Sequence, residues 1–190
     1  MTAQEFVQHV HQNPPRCISN LRPKPVTSCK PTHRLPLHLS VYHGEYAVVP
    51  DDVLGTASFL LNCPCGFSSA VLLGYYVSDE TEDVGFVGPL SLDCARCHQI
   101  TEFFDTRKHG YDGEQGVNTY LIGEGTPDRW ACPHCGVISL IVCAKFSYQG
   151  VEDFCGEMRQ RPQDFFGGFD LLGQCTNCNT VFEITNFECA

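Results

Sequence analysis

Eight of the thirteen cysteines fall into four close pairs: Cys63/Cys65, Cys94/Cys97, Cys132/Cys135 and Cys175/Cys178. The flanks of the pairs repeat. "NCPCGFSSAVLLGYY" matches "ACPHCGVISLIVCAKFSY": each has Cys-Pro, a second Cys, a Gly and then a β-rich run. "GPLSLDCARCHQITEFFDT" matches "FDLLGQCTNCNTVFEITNFE": each has an apolar strand, C-x-x-C, a polar residue and an alternating strand. Ile100, Glu102 and Phe104 should face one way, and Thr101 and Phe103 the other. Phe182 and Ile184 should alternate with Glu183 and Thr185. The chain therefore reads as one unit written twice: strand, cysteine turn, strand, loop, strand, cysteine turn, strand.

Metal chemistry accounts for the spacing. Zn²⁺ takes four ligands tetrahedrally, with Zn–S near ~2.3 Å, so two cysteines on one tight turn reach the same ion. Gly66 and Gly136 supply the positive φ such a turn needs, and Pro64 and Pro133 pre-set φ inside it. Backbone N–H groups of the turn can stabilise the thiolates. Gaps of 28 residues between Cys65 and Cys94 and 39 between Cys135 and Cys175 leave room for a hairpin arm and a loop. The expected ligands are Cys63, Cys65, Cys94 and Cys97 for one ion and Cys132, Cys135, Cys175 and Cys178 for another, two Zn²⁺ per chain. C-x-C at the first pair shortens the usual C-x-x-C. A cross-braced arrangement would join Cys63/Cys65 to Cys132/Cys135, and the sequential repeat argues against it.

These motifs resemble the zinc ribbon, with turns of the rubredoxin type. The resemblance covers roughly Ser58–Thr106 and Arg129–Glu188 and singles out no functional family. It implies a mainly β fold with small helical content: two four-cysteine zinc ribbons in tandem behind a helical and irregular N-terminal extension. The corresponding division is 1–50 for the extension, 51–125 for the first ribbon unit and 126–190 for the second.

Composition agrees with a folded, metal-dependent chain. Hydrophobic residues make up 43% and charged residues 18%, the balance of a globular protein. Apolar runs such as Ala70–Leu73 are far shorter than the roughly 20 residues that cross a bilayer. The N-terminus lacks a basic start followed by an apolar core, so a cytoplasmic location is expected. In that compartment many thiols point to metal before disulfides.

The net charge of −10 is unevenly spread. Residues 1–50 hold five basic and two acidic residues, +3; residues 51–190 hold seven and twenty, −13. An acidic body repels phosphate backbones. Another protein is therefore the expected partner. Nucleic acid ranks second, through the basic N-terminal arm, and no membrane association is expected.

Other readings of the same residues carry less. "CARCH" at Cys94–His98 spells the haem attachment motif, but its flanks read as strands and its thiols already have partners. Four cysteines close a zinc site, whereas catalytic zinc keeps an open position. Cys17, Cys29, Cys143, Cys155 and Cys189 match no ligand spacing, and Cys143 reads as a small core residue. The segment "DTRKHGYDGEQG" gathers His109, Tyr111, Asp112 and Glu114. It reads first as a glycine-built turn and second as a binding or catalytic loop, the basis of an enzymatic alternative. Trp130 should cover the core beneath the second pair of turns.

At the ends, Thr2-x-x-Glu5 reads as a capping box ahead of a helix that buries Phe6 and Val10 and stops at Pro14 and Pro15. Pro23, Pro25, Pro31 and Pro36 make the next stretch irregular. "LHLSVYHGEYAVV" suggests a hairpin turning at His43-Gly44. A short helix with Phe154 and Met158 on one face should end at Pro162. Opposite charges favour docking of the N-terminal arm on the body. Together these features favour a non-enzymatic protein-interaction module with structural zinc.

Overall fold

The computed structural model describes residues 2–27, 53–78, 84–109, 123–149 and 157–188. Its elements are α1 (Ala3–Gln12), β1 (Arg22–Val26), β2 (Val53–Asn62), β3 (Ser69–Ser78), β4 (Val84–Cys94), β5 (Ile100–Phe104), β6 (Asp128–Arg129), β7 (Ser139–Gln149), α2 (Glu157–Gln160), β8 (Gly168–Cys175) and β9 (Val181–Glu188). The fold is mainly β, as expected. The hairpin at His43-Gly44, Tyr111, Asp112, Glu114, Cys29, Cys155, Cys189 and Phe154 lie outside the described residues.

The strands form one antiparallel sheet in which the two halves of the chain exchange their opening strands. β3-β4-β5 and β7-β8-β9 are matching meanders. They meet where Ser69, Ala70 and Val71 pair with Ile141, Leu140 and Ser139. β2 leads into the first meander yet pairs along β7, with Phe59 opposite Ala144 and Leu60 opposite Cys143. β6 leads into the second meander yet pairs with β3, with Asp128 opposite Gly74 and Arg129 opposite Leu73. A pseudo-twofold through the Ala70–Leu140 pair relates these registers. It carries Cys65 onto Cys135 and Cys94 onto Cys175. β3 has one edge filled by β4 and the other by β7 and β6, so β2 lies on the edge that β7 offers.

Two bulges explain where strict alternation fails. Leu90 pairs with Phe104 but Ser91 with Glu102, leaving Phe103 as the extra residue. Leu171 pairs with Thr185 but Leu172 with Glu183, leaving Ile184 as the extra one. A bulge turns the next side chain to the other face. Phe104, expected beside exposed Ile100 and Glu102, is therefore buried with Phe103, and Thr185 is buried with Ile184. Phe104 then stacks on Phe169, with centroids 3.9 Å apart and planes within 3°, and lies 5.4 Å from Phe187. Phe166 contacts Phe146 at 4.8 Å in the same cluster. The core is thus shared by both halves.

The N-terminal segment closes one side of this core. Thr2 and Glu5 form the expected capping box, and Phe6 and Val10 are fully buried. Phe6 meets Tyr148 edge-on at 5.0 Å. Docking is chiefly apolar, through Ile18 and Leu21 as well, with Arg16 joined to Asp164 at 3.1 Å. Thr2→Ala should lower stability by about 1 kcal/mol, the usual loss for an N-cap, measured by urea unfolding of the zinc-loaded protein.

The proline-punctuated stretch is partly regular, which corrects the irregular reading. β1 pairs antiparallel with β2, Arg22 opposite Asn62 through Val26 opposite Ser58. Pro23 and Pro25 alternate, so the N–H groups they lack fall on the side away from β2, and β1 ends the sheet as an edge strand. α2 ends ahead of Pro162, as expected, and a 3₁₀ turn follows at Pro162–Asp164. Among the described residues no helix is long and apolar enough to cross a membrane.

Candidate metal centres

Each half of the molecule presents two cysteine turns at one end of its strands. The second turn of each half joins paired strands, β4 to β5 and β8 to β9. Cys94 N–H donates to the Gln99 carbonyl at 3.1 Å and Cys175 N–H to the Thr180 carbonyl at 3.0 Å. His98 and Asn179, at φ of 56° and 58°, occupy the left-handed position of these turns, a role asparagine takes more readily than most residues.

The first turns place glycine at that position, as expected: Gly66 has φ +87° and Gly136 φ +75°. The shortened C-x-C motif fits by closing one residue earlier. Gly66 N–H donates to the Cys63 carbonyl three residues back at 2.8 Å, whereas Gly136 N–H donates to the Cys132 carbonyl four residues back at 2.7 Å. The outer bond is common to the two turns: Cys63 N–H reaches the Phe67 carbonyl and Cys132 N–H the Val137 carbonyl, both at 2.9 Å.

These turns bring the eight expected cysteines into two groups, Cys63, Cys65, Cys94 and Cys97, and Cys132, Cys135, Cys175 and Cys178, with sulfurs within 4.8 Å of one another. The grouping is sequential and not cross-braced. Sγ separations are 3.5 Å for Cys63–Cys97 and 3.6 Å for Cys65–Cys94. They are 3.7 Å for Cys132–Cys178 and 3.5 Å for Cys135–Cys175. A tetrahedral zinc with Zn–S of about 2.3 Å spaces its sulfurs about 3.8 Å apart. Both groups therefore fit such an ion with minor adjustment.

The electrostatics ask for a cation. Burial pushes Cys63 and Cys132 up to about 12. Burial raises Cys94 too, but the N–H groups of Cys97 and Arg96 outweigh it and bring the thiol down to about 6. Arg96 N–H lies 3.4 Å from the Cys94 sulfur. The Thr180 hydroxyl and the His134 side chain bring Cys178 down to about 5, and the Val137 N–H lowers Cys135. The turns thus stabilise some thiolates while proximity and burial hold others protonated. A divalent cation lets all four ionise together.

The two centres sit on either side of the pseudo-twofold. Ser69 and Ser139, one residue from the axis pair, share a hydrogen bond of 2.6 Å. Ala95 N–H donates to the Ser69 carbonyl and Thr176 N–H to the Ser139 carbonyl, each at 3.1 Å. Trp130 is buried, as expected, 5.8 Å from Phe182 beneath the second centre.

Other candidate residues have structural surroundings. His109 is half-buried against Phe104, at 6.2 Å, and its Nδ1 accepts from Asp105 N–H at 3.1 Å. Burial lowers its pKa. Asp105 is fully buried and bracketed by Arg107 at 3.1 Å and Lys108 at 3.2 Å. Cys143 is buried in the core, as expected, and is disulfide-bonded. No protein-family model, curated protein or solved structure matches the chain.

Proposed function

We propose that the chain is a zinc-stabilised, non-enzymatic module that binds another protein. The observation that carries this is the closed four-sulfur composition of both centres. Four thiolates fill the tetrahedron of Zn²⁺ and leave no position for a substrate, so the ions serve the fold. The charge supports a protein partner over a nucleic acid. Each centre with four thiolates and Zn²⁺ carries −2, so two centres take the chain from −10 to −14.

Two measurements test this reading. Elemental analysis of purified protein should give two zinc ions per chain. Affinity capture on the zinc-loaded chain, with nuclease treatment, should retain a protein whose binding survives nuclease. Zinc near zero would remove the structural half of the proposal. Capture of nucleic acid alone, or of nothing, would remove the interaction half.

A further inference from the structure

The described cations differ in their partners. Arg16 and Arg161 meet Asp164, Arg107 and Lys108 meet Asp105, and Lys145 meets Asp170. Arg22, Lys24, Arg96 and Arg129 are exposed, and among the described residues none of them forms an ion pair. The first three gather at the first metal centre, and Arg129 lies on β6 ahead of the second. The β1–β2 register sets Arg22 opposite Asn62, one residue before Cys63, with Lys24 two residues further along the same edge. The Arg22 guanidinium lies over the first turn, since a Cβ on Gly66 would sit 3.5 Å from Nη1. Arg96 is in the second turn, between Cys94 and Cys97. The neighbouring carboxylate, Asp93, is 3.8 Å from His98 Nδ1.

Exposed apolar residues flank the same turns. Phe67 is 38% exposed and Ile100 is 61% exposed. Phe67 closes the first turn through its carbonyl, and Ile100 opens β5 directly after the second. The pseudo-twofold supplies an internal comparison. Phe67 maps onto Val137, Ile100 onto Val181 and Arg96 onto Asn177. Val137 and Val181 are half-buried, and Asn177 is uncharged. Zinc binding is common to both ends of the molecule, so it does not require the exposed Phe67 and Ile100 or the charge of Arg96, which the other end lacks.

We propose that the tip of the first centre docks a short acidic segment of a partner protein that also carries an apolar side chain. This rests on the interaction-module reading and names its surface. Arg22, Lys24 and Arg96 meet the acidic groups, and Phe67 with Ile100 takes the apolar one. Charge complementarity of this kind governs encounter and specificity at interfaces. A nucleic acid fits less well. Its affinity grows with the number of phosphates neutralised, and three cations stand on a chain of net charge −10. Ile100, the more exposed apolar group, offers no face for a base to stack on.

The test uses the zinc-loaded full chain and three labelled probes: a peptide alternating glutamate and leucine, its lysine counterpart, and oligo-dT. Fluorescence anisotropy should show binding of the glutamate peptide alone, weakening as salt rises. The double variant R22E/R96E should weaken it about tenfold or more, and F67A/I100A several-fold, while N177A at the other tip changes nothing. Zinc content is measured alongside. If R22E/R96E loses zinc, the guanidiniums serve the thiolates, and K24E/I100A, which touches neither turn, decides the docking. Equal binding by the tip variants, or preference for oligo-dT, overturns the proposal. In the capture experiment, a partner retained by R22E/R96E and F67A/I100A defeats this surface and leaves the module reading intact. Capture of no protein by the unmodified chain defeats the module itself.

Discussion

Replacing Cys178 with serine should cost the protein both metal centres. Structural zinc contributes apparent binding energies of about 10–16 kcal/mol, comparable to or larger than the roughly 5–15 kcal/mol that separates a folded domain from its unfolded chain. Loss of the second centre therefore unfolds β7, β8 and β9. The strand exchange carries the damage across, because β2, which delivers Cys63 and Cys65, is hydrogen-bonded to β7 and not to β3. Zinc content should fall from two towards zero in C178S, with loss of cooperative thermal unfolding. A fragment of residues 126–190 should not fold alone with zinc, since β6 would lack β3. A C178S protein that keeps one zinc and melts cooperatively would show that the halves are independent.

Phe104→Ala should destabilise the zinc-loaded protein by about 3–5 kcal/mol, the range for truncating a buried phenylalanine. The ring is fully buried and joins β5 of the first half to Phe169 and Phe187 of the second. The cavity would open at a seam held rigid from both sides, so relaxation into it is limited. Urea unfolding measures the loss. Ile100→Ala on the same strand is the control: at 61% exposure it should change stability by about 0.5 kcal/mol or less. Equal effects at the two positions would mean that the bulge does not turn Phe104 inward.

The two cysteine groups were legible in the sequence because cysteine turns are local. Pro64, Gly66, Pro133 and Gly136 set their backbone within a few residues, and four such turns in two repeats name the eight cysteines that come together. The capping box at Thr2 and Glu5 was legible for the same reason, since its bonds span three residues. Simple alternation describes β5 and β9 up to Phe103 and Ile184 and then fails at Phe104 and Thr185. A bulge is an agreement between two strands, and nothing in either strand alone marks it. β1 escaped notice because Pro23 and Pro25 suppress the usual strand signal. Only the presence of an open edge on β2 makes an alternating pair of prolines tolerable there.

Residue type and pattern were thus enough to mark the two four-cysteine groups and the mainly β character of the chain. These depend on residue type and short spacing. Tertiary structure decided which strand lies beside which. β2 pairs with β7 and β6 with β3, although each could satisfy its backbone hydrogen bonds on either of two equivalent meanders. The repeat makes those two choices nearly identical in local sequence. The shared core, built by Phe104, Phe146, Phe166 and Phe169 across the halves, favours the exchange.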